Sequence, residues 1–375
     1  MTTQSPLLRL SVLDQSPIPE GSTGSRALHD SLELARLADA LGYYRYWVAE
    51  HHGTPTLACA SPEALIGPIA SATSRLRVGS GGVMLPHYSP FKVAETFSML
   101  AGLFPGRIDL GLGRAAGTDP NTAFALQRDR RHAMPDDFPQ QLAELLAYLD
   151  DTLPPEHPFA RLARSLPGRP EVPAPWLLGS SPQSGVWAAQ LGLPYAFADF
   201  ITPTGVSIAA RYRREFEPSD WLDAPRVAVA AWALCADTAE EAERLASSFR
   251  MAMRLLHQGK FIPVPPVETA LRFLAEHDAQ GAGGSPAGAR LPIVPALNRR
   301  LIVGDAGTVR AGLEAVARDY GAEEVMVVTI VHDPAARRRS YELIAEAFGL
   351  RTETAANDSC DPRTTPATCE LRPAT

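Results

Sequence analysis

No stretch of this chain approaches the ~18 uninterrupted apolar residues of a membrane-spanning helix. The N-terminus, MTTQSPLLRLSVLD, lacks the charged start and long apolar run of a secretion signal. Both absences point to a soluble, cytoplasmic protein. Cysteine is scarce, with four residues in 375, and no CxxC occurs. Cys59 and Cys235 lie in or beside apolar segments, and Cys360 and Cys369 lie in the tail. Nothing spaces them as zinc ligands, so reduced thiols are expected. No basic block interrupts a sequence of formal charge −7, which argues against a nucleic-acid partner. Neither His-x-His nor HExxH occurs, and no metal site is expected. No GxGxxG opens a helix, so the dinucleotide-binding fingerprint is missing.

What is present is 45% hydrophobic residues, enough for a large core. Eight short β-rich runs recur: 7–14, 43–50, 76–85, 107–113, 174–180, 194–199, 226–236 and 323–331. Helical patterns separate most of them. The segment 26–42 carries a broad apolar face and ends at Gly42, a suitable C-cap. Ser61-Pro62 and Ser89-Pro90 each open a helix with proline at its first position. Asp305 or Thr308 caps a late amphipathic helix. Strands alternating with helices argue a parallel sheet, whose strands read as continuous apolar runs. Eight of them predict one α/β domain over residues 1–350, a (β/α)8 TIM barrel; a doubly wound sheet usually has fewer strands. Two segments break the repeat: Pro-rich 151–173, and 257–300, which is too long for an ordinary connection. The latter reads either as a surface insertion or as a lid over the barrel mouth. Residues 351–375 read as a disordered tail.

Chemistry in such a barrel gathers at the C-terminal strand ends. Those ends carry Asp14-Gln15-Ser16, Glu50-His51-His52, Gly79-Ser80-Gly81-Gly82, Gly113-Arg114, Gly179-Ser180-Ser181 and Asp199. Neighbouring strand residues point to opposite faces, so His51 and His52 cannot easily share one metal ion. One of them faces the mouth as an acid, base or hydrogen-bond donor. Arg114 can grip a phosphate. Ser180, Ser181 and Ser184 at a helix start can cradle one. Read singly, these are a surface ion pair and an N-cap; together on neighbouring strands they favour a phosphate. Glycines within a buried strand admit either a tight packing contact or a flat ligand against Gly81 and Gly82.

Four stretches now carry a resemblance: YYRYWVAEHH, LRVGSGGVMLPHYSP, FPGRIDLGLGRAAG and PWLLGSSPQSGVWAAQLGLPYAFA. In this order, across about residues 7–348, the chain resembles the bacterial luciferase-like flavin oxidoreductases. The resemblance implies a (β/α)8 barrel that binds FMN, or in one branch F420. It implies His51 as the active-site histidine, accompanied by Glu50, and a cis peptide at Gly81–Gly82 against the flavin ring. It also implies phosphate contacts from Arg114, the backbone at Ala116, Ser180, Ser181 and Ser184. The expected reaction is oxygenation of a small organic substrate by reduced FMN and O2 through the flavin C4a carbon. A separate NAD(P)H:flavin reductase supplies the cofactor, and the chain is expected to be a homodimer. Hydride transfer with F420, and a non-catalytic flavin-binding subunit, are the alternatives. Two departures count against light emission. Gly113 stands where luciferase has a reactive cysteine, and Asp199 where it has an aromatic residue near the flavin. Under the lid reading, Gly281, Gly283 and Gly284 would let 257–300 flex.

Overall fold

The computed structural model describes residues 8–114, 119–127, 130–131, 137–282 and 300–350. Its strands are β1 (Arg9–Asp14), β2 (Arg45–Val48), β3 (Arg77–Ser80), β4 (Val83–Met84), β5 (Ile108–Gly113), β6 (Ala174–Gly179), β7 (Tyr195–Ala198), β8 (Val227–Cys235), β9 (Leu301–Gly304) and β10 (Glu324–Val328). Eight of them close a parallel barrel in the order β1-β2-β3-β5-β6-β7-β8-β10, with β10 returning to β1. β4 pairs with the end of β5, and β9 with the C-terminal half of β8. All eight expected runs form barrel strands. β9 was not foreseen.

The helices are α1 (Gly24–Leu41), α2 (Pro62–Ala72), α3 (Pro90–Leu103), α4 (Pro120–Leu126), α5 (Phe138–Asp150), α6 (Ala160–Arg164), α7 (Pro182–Gln190), α8 (Val206–Arg214), α9 (Ala239–Leu256), α10 (Val267–Ala282), α11 (Ala306–Tyr320) and α12 (Pro334–Phe348). Their ends follow local chemistry. Gly42 closes α1 in the left-handed conformation at φ 89°. Asp305 accepts the Thr308 N–H at the start of α11.

Alternation along the strands makes two cores. Leu13, Trp47, Trp176, Ala228, Ala230, Trp232, Met326 and Val328 fill the barrel. Val12, Tyr46, Val48, Val227, Val229, Val325 and Val327 face the helices. Both faces are buried, which is why these strands read as unbroken apolar runs. The N-terminal end of the barrel is closed by charge. Arg45 pairs with Asp109 at 2.6 Å and with Glu324 at 3.1 Å. Arg77 joins Asp109 at 2.6 Å, and the Trp47 indole N–H donates to the same carboxylate.

The Pro-rich segment 151–173 is ordered and packed. Its Gly168 N–H donates to Ser98 Oγ, and its Arg169 guanidinium donates to the Ala163, Tyr148 and Leu149 carbonyls. It leads into the start of β6, at the end of the barrel opposite the mouth. In 257–300, the first part is structured too: Val264 bridges Pro19 beside the end of β1, and α10 packs on α9. Gly281 sits in the last turn of α10 rather than in a hinge. Gly283 and Gly284, with the remainder to residue 299, lie outside the described residues, as does the tail 351–375.

Candidate active site at the barrel mouth

Trp47 and Ala49 belong to the inner core, whereas Tyr46 and Val48 belong to the outer one. β2 ends at Val48, and just beyond it Glu50 and His52 pair with each other. Glu50 is fully buried. Its carboxylate accepts the Met84 N–H at 2.9 Å and the Tyr88 hydroxyl at 3.1 Å, and meets His52 Nε2 at 2.6 Å. Burial raises its pKa above the ordinary carboxylate value, against the lowering effect of those three partners. Glu50 therefore clamps the 84–88 turn onto the end of β2. Its carboxylate is thus engaged by His52, Met84 and Tyr88. Glu50→Ala would leave the Met84 N–H and His52 without this partner. It is expected to cost about 2 kcal/mol of stability by urea unfolding, and Glu50→Gln less, because the amide keeps an acceptor.

His51 donates its backbone N–H to the Cys59 carbonyl at 2.9 Å, while its ring Nδ1 is buried with no hydrogen-bond partner among the described residues. Burial, and then the neighbouring His52, lower its pKa to about 4. The ring is a neutral imidazole at pH 7. A histidine with a lowered folded-state pKa stabilises the fold above its unfolded value near 6.5. That contribution is lost as pH falls from about 6.5 towards 4. The native protein should thus lose on the order of 2 kcal/mol across this window relative to His51→Gln, which thermal melts at stepped pH would read.

The Gly81–Gly82 peptide is cis, as the resemblance implied. The glycine run has a cause within the protein itself. A Cβ at Gly81 would lie 2.5 Å from Leu13 Cδ1, and one at Gly82 2.8 Å from the Gly111 carbonyl oxygen. A Cβ at Gly111 would come within 2.1 Å of the Ser80 carbonyl. Close approach of β3 and β5 explains Gly82 and Gly111, and packing against Leu13 of β1 and Trp47 of β2 explains Gly81. A Cβ at Gly113 would meet Met84 Sδ at 3.2 Å, so a thioether already fills the space beside it.

Arg114 follows β5, and its guanidinium stands 5.6 Å over the Trp187 ring of α7. Ser181 is the N-cap of that helix, accepting the Ser184 N–H at 3.5 Å. The fold thus brings Arg114, Ser180 and Ser181 to one rim of the mouth. Ser184 shares the helix start, but its hydroxyl is turned inward, donating to the Ser181 carbonyl at 2.8 Å and bonding the Tyr195 hydroxyl at 3.0 Å. Only its backbone N–H faces the helix end. Ala116 lies outside the described residues.

Two strand ends turn away from the mouth. Asp14 takes Arg337 at 2.6 Å and the Tyr46 hydroxyl at 2.6 Å on the outer side of β1. Asp199 accepts the Tyr320 hydroxyl of α11 at 2.8 Å, and burial raises its pKa. The residue after it, Phe200, packs against the inner core, so an aromatic side chain is present one position on. Met84, Tyr88 and Trp187 escaped the sequence reading although they lie within the quoted motifs, because contact rather than residue type gives them their place. The opposite wall is apolar: Phe249 of α9 stacks on Trp232 at 4.5 Å, near Leu234, Val264, Ile330 and Val331. Among the described residues no group of three or more His, Cys, Asp or Glu is placed to share a metal ion. No described helix is long and apolar enough to cross a membrane.

Residues 8–324 match the family model for luciferase-like monooxygenases. The protein YwcH of Bacillus subtilis is 45% identical over 91% of this chain and 99% of its own length. A luciferase-like monooxygenase of Escherichia coli K12 is 41% identical over 90% of this chain and 96% of its own. The crystal structure of apo-MsnO8 superposes with a TM-score of 0.79 at 43% identity, covering 92% of this chain and 98% of that one. Two more distant structures share the fold. The oxygenating constituent of 3,6-diketocamphane monooxygenase, in complex with FMN, has a TM-score of 0.64 at 21% identity, covering 91% of this chain and 97% of that one. An F420-dependent secondary alcohol dehydrogenase with an F420–acetone adduct has 0.60 at 13%, covering 92% and 99%. The chain therefore belongs to the luciferase-like monooxygenase family and is, by that membership, a flavin-dependent oxygenating oxidoreductase.

Proposed function

We propose that the protein uses reduced FMN and O2 to oxygenate a small organic substrate in the barrel mouth. One observation carries this reading: a neutral His51, its Nδ1 without a partner among the described residues, ends a strand of the same barrel whose mouth carries the Arg114 guanidinium and the N-terminus of α7. The residues suit FMN. Arg114, Ser180, Ser181 and the first-turn N–H groups of α7 would hold its phosphate. The Gly81–Gly82 segment, fixed through Glu50, would face its ring. Bound in reduced form, the cofactor supplies the electrons that activate O2. His51, uncharged at working pH, accepts or returns a proton at its ring nitrogen. Phe249, Leu234, Ile330 and Val331, all buried, exclude water from that wall. A separate NAD(P)H:flavin reductase supplies reduced FMN, and the working form is a homodimer in the cytoplasm.

The test is calorimetric titration of the apo-protein with FMN, with reduced FMN under nitrogen, and with F420. Preference for reduced FMN supports the proposal. Preference for F420 replaces it with hydride transfer, the chemistry named for the more distant dehydrogenase. Binding of none of the three removes the phosphate role of Arg114 and Ser181.

A further inference from the structure

At the N-terminal ends of the strands, opposite the mouth, a cavity of about 330 Å3 opens beside the starts of β2, β3, β6 and β8. Its wall carries the guanidiniums of Arg45, Arg77 and Arg226, the rings of Tyr44, Trp176 and Trp221, and no Asp or Glu. That local sign is the reverse of the chain's net charge of −7. Arg45 and Arg77 are held by Asp109 and Glu324. Arg226 is half-buried; its backbone N–H donates to the Tyr212 hydroxyl at 3.1 Å, and its guanidinium has no hydrogen bond or ion pair among the described residues. Arg9 stands 4.7 Å over the same Tyr44 ring and also has no carboxylate partner among them. The wall itself thus holds three guanidiniums, two of them on Asp109 and Glu324. Acids stand at its edge: Asp150 takes the Trp221 indole N–H and feels Asp220, which precedes Trp221 in the chain, and Glu323 is exposed.

Behind the cations the buried Trp176 ring lies 4.7 Å from the Arg45 guanidinium, and the partly exposed Trp221 is the ring that borders the cavity itself. A guanidinium in a half-enclosed, aromatic-walled recess is less screened than one in bulk water and offers a planar fork to a carboxylate. The geometry points to a second binding site on this face, for a small aromatic carboxylate. Arg226 takes the carboxylate, and the ring lies against Trp221. This site is separate from the mouth and does not rest on the flavin reading.

The experiment is a 19F NMR titration of the full chain with 4-fluorobenzoate, run with and without saturating FMN. 4-Fluorobenzyl alcohol is the uncharged control and inorganic phosphate the ring-free one. Saturable binding of 4-fluorobenzoate is expected with or without FMN. It should weaken about tenfold in Arg226→Met, the loss of one charge-assisted bidentate contact. Neither control should bind as tightly. Arg226→Gln serves as the second variant if Arg226→Met does not fold. Four outcomes overturn the inference: no saturation, equal binding by a variant of unchanged melting temperature, equal binding of the alcohol or of phosphate, or displacement by FMN.

Discussion

His51→Ala is expected to lower turnover by two to four orders of magnitude while reduced FMN still binds within a few-fold of the native affinity. The range is that of a positioned acid or base. The ring stands just past the end of β2, and among the described residues nothing engages its Nδ1. Removing the imidazole leaves the Arg114–Ser181 rim intact, so binding and chemistry should separate. Single-turnover oxidation of a substrate by the FMN-reduced protein, alongside calorimetry, reads both. Unchanged turnover with every substrate tested would remove His51 from the chemistry. Parallel losses of binding and turnover would make it a structural residue.

Arg45→Met is expected to destabilise the fold by about 3–5 kcal/mol, the scale for stranding buried carboxylates. Arg45 is 2% exposed, and Asp109 and Glu324 are as deeply buried. Asp109 would keep Arg77 and the Trp47 N–H, but Glu324 would keep only the Ser11 hydroxyl, 2.5 Å away. Arg45→Met combined with Glu324→Leu should therefore recover part of the loss, because the carboxylate left stranded is gone. Urea midpoints with an unchanged slope would report both values. A single-variant loss below about 1 kcal/mol would show that this network contributes little to stability.

These two residues illustrate what was legible. His51 stood out because a carboxylate and two histidines ending an apolar run are unusual. The two-residue period of a strand put one of the two histidines at the mouth, and the resemblance chose His51. Arg45 did not stand out at all. It lies inside an apolar run, and its partners are 64 and 279 positions away. The same distance in sequence hid the clamp that Glu50 makes with Met84 and Tyr88, so Glu50 read as a companion of His51. Asp14 and Asp199 were read towards the mouth because strand ends are usually polar there. Their partners on α12 and α11 turn them outward.

By itself the sequence determined the eight-strand α/β barrel, the strands' positions, the helix caps and the family. These depend on local periodicity, on turn chemistry and on short motifs that survive in order. Only the tertiary structure decided which end of the barrel each segment joins, and so separated the packed 151–173 segment from the mouth. It alone decided that the glycines of β3 and β5 serve strand-to-strand approach, that the Ser184 hydroxyl is spent inward, and that three arginines line the opposite face. Those outcomes depend on contacts between residues far apart in the chain, which no local pattern encodes.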